Sequence, residues 1–343
     1  MLVQDNFYFY TPDGQKFYSK IKGWAYAQQT NQPLLLYYYD HIWEKLDWKI
    51  EPPESLEYYY KAQAQRIRDE YDYVILCYSG GADSTNILET FHYNNIKLDK
   101  IVMVGAMSQD SHSMVDENHN GELYHNCFPY LKQLGLESIS EVIDYTKYFD
   151  DVKNFSMYNF GDEWIHEQNS FYSSHTWFWR DFEKYVVPQQ YADKKVAIIF
   201  GKDKPWLRVE NTGRYFSFWD KACLSYSTNP NKISNIERIN FYWDPNYPFI
   251  VQKQLFVLYD TIFTHNNHGD VKGDHFVYNL KNPIKFKSGK SQNSFISLRD
   301  NFLIKKQNSD IFKFLHMGID KAEQLLGDDL NMPTIYTRKY YVS

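Results

Sequence analysis

The chain has 343 residues, of which 43% are hydrophobic and 23% are charged, and its formal net charge is −6. This length suits one large α/β domain with appendages, while the negative charge argues against a chain that holds nucleic acid through a dominant basic field. Three widely spaced cysteines without a CxxC pair favour a reducing, cytoplasmic setting over a disulfide scaffold. Because no signal peptide and no run of 18 apolar residues is found, we expect no membrane span.

Residues 1–53 are predicted to form a small N-terminal unit that contains β-structure. Two aromatic stretches, 6–10 and 15–18, flank a Pro-Asp-Gly sequence. This pattern is typical of a β-hairpin closed by a tight turn. The apolar stretch 34–39 fits either a further strand or the start of a helix.

Residues 54–210 are predicted to form a nucleotide-binding α/β core. Ser55 follows two prolines and is expected to cap a helix that runs to about residue 68. The unbroken apolar run 74–78 is typical of a central strand of a parallel sheet, buried on both faces. Helical spacing in 85–93 and a second apolar run at 101–104 complete a βαβ unit.

The remaining sequence continues the same alternation. Residues 107–121 are polar and are predicted to form a surface loop after the second strand. A helix at 122–134, a strand beginning near 142 and a buried strand at 196–200 are expected to follow. Residues 211–343 are predicted to be a mainly helical region that completes the site, with the clearest helices at 252–264 and 310–326.

The six-residue loop 79–84, Ser-Gly-Gly-Ala-Asp-Ser, carries the strongest chemical signal. Its glycines allow backbone angles that turn successive N–H groups inward as an anion-binding nest. The loop leads directly into a helix, whose first N–H groups and dipole also favour an anion. Ser79 and Ser84 add hydroxyl groups, and Asp83 suits a Mg²⁺ ligand or an acceptor that orients the loop. The alternative is an ordinary strand-to-helix turn capped by a serine or an aspartate.

The stretch Tyr78-Ser-Gly-Gly-Ala-Asp-Ser-Thr85 resembles the SGGxDS pyrophosphate-binding motif of the PP-loop ATP pyrophosphatases. These are N-type, adenine nucleotide alpha hydrolase-like proteins, and this chain is closest in character to the synthetase domain of asparagine synthetase. The resemblance extends over about residues 70 to 205. It implies a doubly wound, Rossmann-like parallel sheet of the HUP type, and cleavage of ATP to AMP and pyrophosphate. It also implies Mg²⁺ and a set of residues around the β,γ-phosphates, namely Ser79, Gly80, Gly81, Asp83 and Ser84.

The same resemblance assigns roles to residues that follow two other strands. Gly105 is expected near the adenine, because ligands of such folds lie beyond the carboxyl ends of the strands. Gly201 and Lys202 are expected near the phosphates, with Asp203 as a second Mg²⁺ ligand and Lys204 as a cation for the departing pyrophosphate. The alternative is a charged solvent loop closed by a proline. The predicted catalytic residues are therefore Asp83, Asp203 and Lys204, and the predicted metal ligands are Asp83 and Asp203.

Two other groups of side chains are weaker candidates. His112, His119 and His125 lie in or beside the polar loop, but their spacing matches no metal motif, so a substrate loop or plain surface is preferred. Cys77 is expected to pack in the core.

The resemblance implies adenylation of a small carboxylate or amide substrate, followed by attack of an amine donor. Leu2, not a cysteine, directly follows Met1, so we expect no intrinsic glutamine hydrolysis. A PP-loop enzyme that modifies RNA or a nucleobase, by thiolation or amine ligation, is an alternative that the acidic charge disfavours without excluding nucleic acid. A nucleotide-binding module without turnover is a third reading. A homo-oligomer stays possible.

Overall fold

The computed structural model describes residues 6–18, 20–105, 107, 120, 122–144, 182–201, 206–210, 213–218, 235–265 and 335–341. Strands and helices are numbered here along this described part of the chain. The strands are β1 Phe7–Tyr10, β2 Lys16–Phe17, β3 Leu35–Tyr38, β4 Tyr73–Cys77, β5 Lys100–Gly105, β6 Ser140–Asp144, β7 Val196–Phe200, β8 Trp206–Glu210, β9 Gly213–Ser217, β10 Ile236–Asn240 and β11 Tyr340–Tyr341. The helices are α1 Lys20–Thr30, α2 Asp40–Trp43, α3 Leu56–Glu70, α4 Ala82–Tyr93, α5 Phe128–Leu134, α6 Phe182–Val186 and α7 Phe249–His265, with a π-helical turn at Leu123–Cys127 and 3₁₀ turns at Glu137–Ile139 and Gln189–Tyr191.

The N-terminal strands form a three-stranded antiparallel sheet in the order β2-β1-β3. The predicted hairpin is confirmed: Phe9 pairs with Phe17, and Gly14 at φ +89° closes the turn. A left-handed φ of this kind favours glycine, which explains the Pro-Asp-Gly sequence. The apolar stretch 34–39 forms a strand, β3, rather than the start of a helix.

Five strands form an all-parallel sheet in the order β10-β7-β4-β5-β6. The predicted strands at 74–78, 101–104, 142–143 and 196–200 are confirmed. If only these five strands are numbered, from 1 to 5 along the chain, their order in the sheet is 5-4-1-2-3. The direction in which strands are added therefore reverses between β4 and β7. This is an α/β, Rossmann-like fold, and its reversal point is where ligands of such sheets bind.

Helices cover both faces of the parallel sheet. On one face Val74 and Leu76 belong to a buried cluster that also contains Ile67 of α3 and Leu88 of α4. Alternate strand residues point to the other face. There the ammonium group of Lys100 donates to the carbonyl of the last α6 residue at 3.0 Å, and the rings of Phe182 and Phe200 lie 6.1 Å apart.

Helix α3 begins as predicted. The Ser55 Oγ accepts a hydrogen bond from the N–H of Tyr58 at 3.2 Å, which satisfies one of the donors that a helix start leaves open. The helix buries one face, including Leu56, Tyr60, Ala64 and Ile67, in the hydrophobic core.

A third sheet, in the order β11-β9-β8, brings the C-terminal residues back onto the body of the protein. Tyr340 pairs with Phe216, and its hydroxyl donates to Asp40 Oδ1 at 2.9 Å. Burial raises the pKa of the Asp40 carboxyl above its usual value.

Beyond residue 210, the described residues contain both strands and a helix. The predicted helix at 252–264 is confirmed by α7, and the predicted helix at 310–326 lies outside the described residues. Strand β10 adds to the parallel sheet although it follows the end of the predicted core at 210. In the part of the chain that the structure describes, no helix has the length and apolar character needed to cross a membrane.

Candidate functional site

The loop that joins β4 to α4 lies at the carboxyl edge of the central strand of the parallel sheet. Gly80 adopts φ +72°, in the left-handed region that favours glycine. A Cβ placed on Gly80 would lie 2.9 Å from both the Cβ of Asn126 and the Sγ of Cys127. Both the backbone angle and the close approach therefore require glycine at this position.

Hydrogen bonds inside the loop fix its shape. The N–H of Ser79 donates to Ser84 Oγ at 3.2 Å, and Ser84 Oγ donates to the carbonyl of Gly81 at 3.1 Å. Ser84 is buried, whereas Ser79 and Gly81 are exposed. The Ser84 hydroxyl thus holds the loop together, and the exposed Ser79 joins the same network through its Oγ, which lies 3.1 Å from Ser84 Oγ.

Helix α4 begins at the end of this loop. Its N-cap is Gly81, so no side chain caps the helix start, and Thr85 N–H donates to the Gly81 carbonyl at 3.0 Å. Asp83, half-buried, lies in the first turn, where a negative charge is favourable to the helix dipole. The predicted loop residues 79–81, 83 and 84 are therefore all part of one strand-to-helix junction.

Gly201, which follows β7, lies against the same junction. A Cβ on Gly201 would meet the backbone N of Ser84 at 2.9 Å and the backbone C of Asp83 at 3.0 Å. The loop after β4 and the first residue after β7 are thus side by side at the reversal point of the sheet. The other predicted residues of this segment, Lys202, Asp203 and Lys204, lie outside the described residues.

Gly105 ends β5 at the same edge of the sheet and is buried. A Cβ there would lie 2.6 Å from Leu123 Cδ1 and 3.1 Å from Asn120 Oδ1. Beyond it, the N–H of Met107 donates to Asp144 Oδ1 at 2.9 Å. Asp144 is the last residue of β6, and it brings a carboxylate to this edge that the sequence analysis did not single out.

The helix predicted at 122–134 is present, but it contains a π-helical turn, Leu123–Cys127, before α5. The N–H of Phe128 donates five residues back instead of four. Pro129 has no N–H to continue the ordinary pattern, and this is the sequence signal for the irregular turn. The turn sets Cys127 against Gly80, and burial raises the pKa of its thiol above the ordinary value.

One residue to which the sequence analysis gave no role, Tyr242, binds the start of α4. The Tyr242 hydroxyl donates to the carbonyl of Asp83 at 2.8 Å, and Asn86 Nδ2 donates to Tyr242 Oη at 3.0 Å. Tyr242 follows β10 and is 159 residues from Asp83 along the chain. No local pattern in the sequence reports a contact over that separation.

His125 is exposed on the π-helical turn, and His112 and His119 lie outside the described residues. Among the residues whose positions the structure gives, no group of three or more His, Cys, Asp or Glu side chains is arranged to hold a metal ion. Of the two predicted Mg²⁺ ligands, Asp83 belongs to the described residues and Asp203 lies outside them.

No protein-family model matches the chain, and a search of curated proteins found no match. The function is therefore inferred from the loop, its glycines and its place in the sheet.

Proposed function

We propose that the chain is a PP-loop ATP pyrophosphatase with a HUP-type core. It would cleave ATP to AMP and pyrophosphate in order to adenylate a small substrate for ligation or amidation by an amine, as an asparagine-synthetase-like enzyme without a glutaminase domain. The single observation that carries this proposal is the position of the Ser-Gly-Gly-Ala-Asp-Ser loop: it joins the central parallel strand to α4 at the reversal point of the sheet.

A phosphate group fits the chemistry of this junction. Side chains are absent at Gly80, Gly81 and Gly201, so backbone amides can approach an anion closely. The start of α4 adds N–H groups without intrahelical partners and the positive end of the helix dipole. The exposed Ser79 and Gly81 put this surface on the solvent side, where a nucleotide can reach it.

Mg²⁺ fits the donor chemistry of Asp83 and the predicted Asp203, because carboxylate oxygens are its preferred protein ligands. When bound, the ion neutralises charge on the phosphate oxygens. The chain itself would orient the triphosphate through the loop amides and bring Lys202 and Lys204 toward the pyrophosphate. Such positioning and charge stabilisation require no side-chain nucleophile.

In the proposed reaction an oxygen of the substrate displaces pyrophosphate from the α-phosphorus, and the amine then displaces AMP. Pyrophosphate leaves as an anion, so the described junction would act chiefly by holding the pyrophosphate end of the triphosphate. Asp144 and the Met107 amide, at the carboxyl ends of β6 and β5, are within the region where the adenosine would lie.

The test is a mass-spectrometric screen of the purified chain with ATP, Mg²⁺ and mixtures of small carboxylic acids, amines and RNA, scored for AMP, pyrophosphate and a condensed product. ATP binding is measured in parallel by calorimetry. Asp83→Asn is expected to lower AMP release by about 100-fold or more, since metal-assisted charge stabilisation is worth several kcal/mol. Asp193→Asn is the matched control: Asp193 is exposed and precedes β7, at the opposite edge of the sheet.

Each outcome of the screen has a distinct meaning. AMP formation that is unaffected by Asp83→Asn would contradict the role given to that carboxylate. Product formed only with RNA would favour the RNA-modifying alternative. ATP binding without AMP under every mixture would indicate a nucleotide-binding module without turnover, and no ATP binding at all would contradict the proposal.

A further inference from the structure

The short segment 241–244, directly after β10, contacts several separate parts of the protein. Phe241 packs near Tyr60 of α3, with ring centroids 6.0 Å apart. The indole of Trp243 stacks on Phe218 at 5.3 Å and an interplanar angle of 5°. This segment is therefore fixed by packing on either side of Tyr242.

The last residue of the segment is fixed by polar contacts. Asp244 is buried, accepts a hydrogen bond from Gln63 Nε2 at 2.9 Å and forms an ion pair with Arg66. Both partners belong to α3. Tyr242 therefore extends from a segment whose backbone has little freedom to move.

Tyr242 itself spans the distance from this segment to the proposed phosphate-binding junction. Its side chain is 1% exposed, and its ring meets the ring of Tyr60 edge-on, with centroids 5.6 Å apart. Its hydroxyl donates to the carbonyl of Asp83 and accepts from Asn86. Burial raises the Tyr242 pKa well above the usual tyrosine value, so the hydroxyl remains a proton donor at physiological pH.

Both hydroxyl partners lie at the start of α4: Asp83 is in its first turn, which follows the Ser-Gly-Gly loop, and Asn86 begins the next turn. The same turn carries Ser84, whose hydroxyl holds the loop, and contacts Gly201. Movement of this turn would change the direction of the loop amides and of the Asp83 carboxylate together. Polar groups that are buried and hydrogen-bonded resist such movement, because each lost partner is costly.

We propose that Tyr242 is a positioning residue for the phosphate-binding loop: without contacting the nucleotide, its hydroxyl fixes the first turn of α4 in the orientation that binds the phosphates. This inference rests on the proposed ATP-binding function. It adds a distant residue, after the last parallel strand, to the residues on which phosphate affinity depends.

The test compares two variants that each delete one buried tyrosine hydroxyl. Tyr242→Phe removes the contacts to Asp83 and Asn86. Tyr60→Phe removes a hydroxyl of the same aromatic cluster, which accepts from Gln254 Nε2 of α7 at 3.1 Å. Affinities for ATP with Mg²⁺ and for inorganic pyrophosphate are measured by calorimetry, with the melting temperature measured in parallel.

Tyr242→Phe is expected to weaken both ligands by about 5- to 20-fold, the effect of losing one or two hydrogen bonds at the site. Both variants are expected to lower the melting temperature by similar amounts, because each loses one buried hydroxyl. Tyr60→Phe is nevertheless expected to leave both affinities unchanged. Amide hydrogen exchange in the nucleotide-free protein should quicken at 83–87 in Tyr242→Phe only.

The outcomes separate this inference from the proposed function. If the unsubstituted protein binds neither ATP nor pyrophosphate, the proposed function fails. If it binds both and Tyr242→Phe binds them equally well, the positioning role is refuted while ATP binding stands. Equal weakening by both variants would show general destabilisation and would also refute the positioning role.

Discussion

Replacing Gly80 by alanine tests the geometry of the loop directly. The residue has φ +72°, and an added Cβ would lie 2.9 Å from the Cβ of Asn126 and from the Sγ of Cys127. Real Cβ atoms do not approach other atoms this closely, so the π-helical turn would have to move away from the loop. Two separate costs are therefore expected, one from the backbone angle and one from the steric overlap.

The magnitude of each cost can be estimated. A left-handed backbone angle costs a non-glycine residue about 1–2 kcal/mol, and overpacking of a buried contact adds about 1–3 kcal/mol, so Gly80→Ala should destabilise by about 2–5 kcal/mol. Gly135 supplies the matched control: it has φ +68°, nearly the same angle, and nothing lies within 4 Å of its added Cβ. Gly135→Ala should therefore show the backbone cost alone, about 1–2 kcal/mol.

The assay is urea unfolding followed by tryptophan fluorescence, with ATP affinity measured in the same samples. Trp43, Trp48 and Trp243 are buried, so unfolding should change the emission strongly. Gly80→Ala is expected to lose more stability than Gly135→Ala and, in addition, to lose measurable ATP binding. Equal loss of stability in the two variants would refute the close approach of the loop to the π-helical turn.

Three further predictions concern other contacts. Gly201→Ala should weaken ATP binding by about tenfold or more in calorimetry, because overpacking of about 1–3 kcal/mol acts directly on the first turn of α4; unchanged affinity would argue against the contact. Glu183→Gln should lower the free energy of unfolding in urea by about 3–5 kcal/mol, because it removes the carboxylate charge that pairs with the buried Arg238 guanidinium at 2.6 Å; a loss below about 1 kcal/mol would contradict the burial of that pair. The hydrogen bond from Thr11, followed by other hydrogen bonds, lowers the Asp13 pKa from 3.8 to about 2. The ionised carboxylate therefore stabilises the fold above about pH 4, and this stabilisation is lost as the pH falls to about 2. The melting temperature of Asp13→Asn should therefore depend less on pH across that interval, and an unchanged pH dependence would refute the assignment.

Features that depend on neighbours in the sequence were predictable. The hairpin at Gly14 follows from turn chemistry, and the N-cap at Ser55 follows from one side chain and the next turn of backbone. The strands at 74–78 and 196–200 follow from apolar runs, because a strand buried on both faces has to be apolar throughout.

Strand β10 shows why other features were not predictable. Its sequence, Ile-Glu-Arg-Ile-Asn, has no apolar run. Its charged residues are acceptable in the sheet only because distant side chains pair with them: Glu183 binds Arg238, and the Tyr71 hydroxyl donates to Glu237. Such pairing is invisible until the chain is folded.

The sequence by itself determined the strand–loop–helix unit around residues 79–84, because glycine angles, apolar runs and helix periodicity all act over a few residues. Only the tertiary structure decided that β7 lies beside β4, that Gly201 contacts the first turn of α4, and that Tyr242 binds that turn. These contacts join residues more than 100 positions apart. They form because buried polar groups must find partners and apolar faces must pack, and no local pattern specifies which distant segment will supply them.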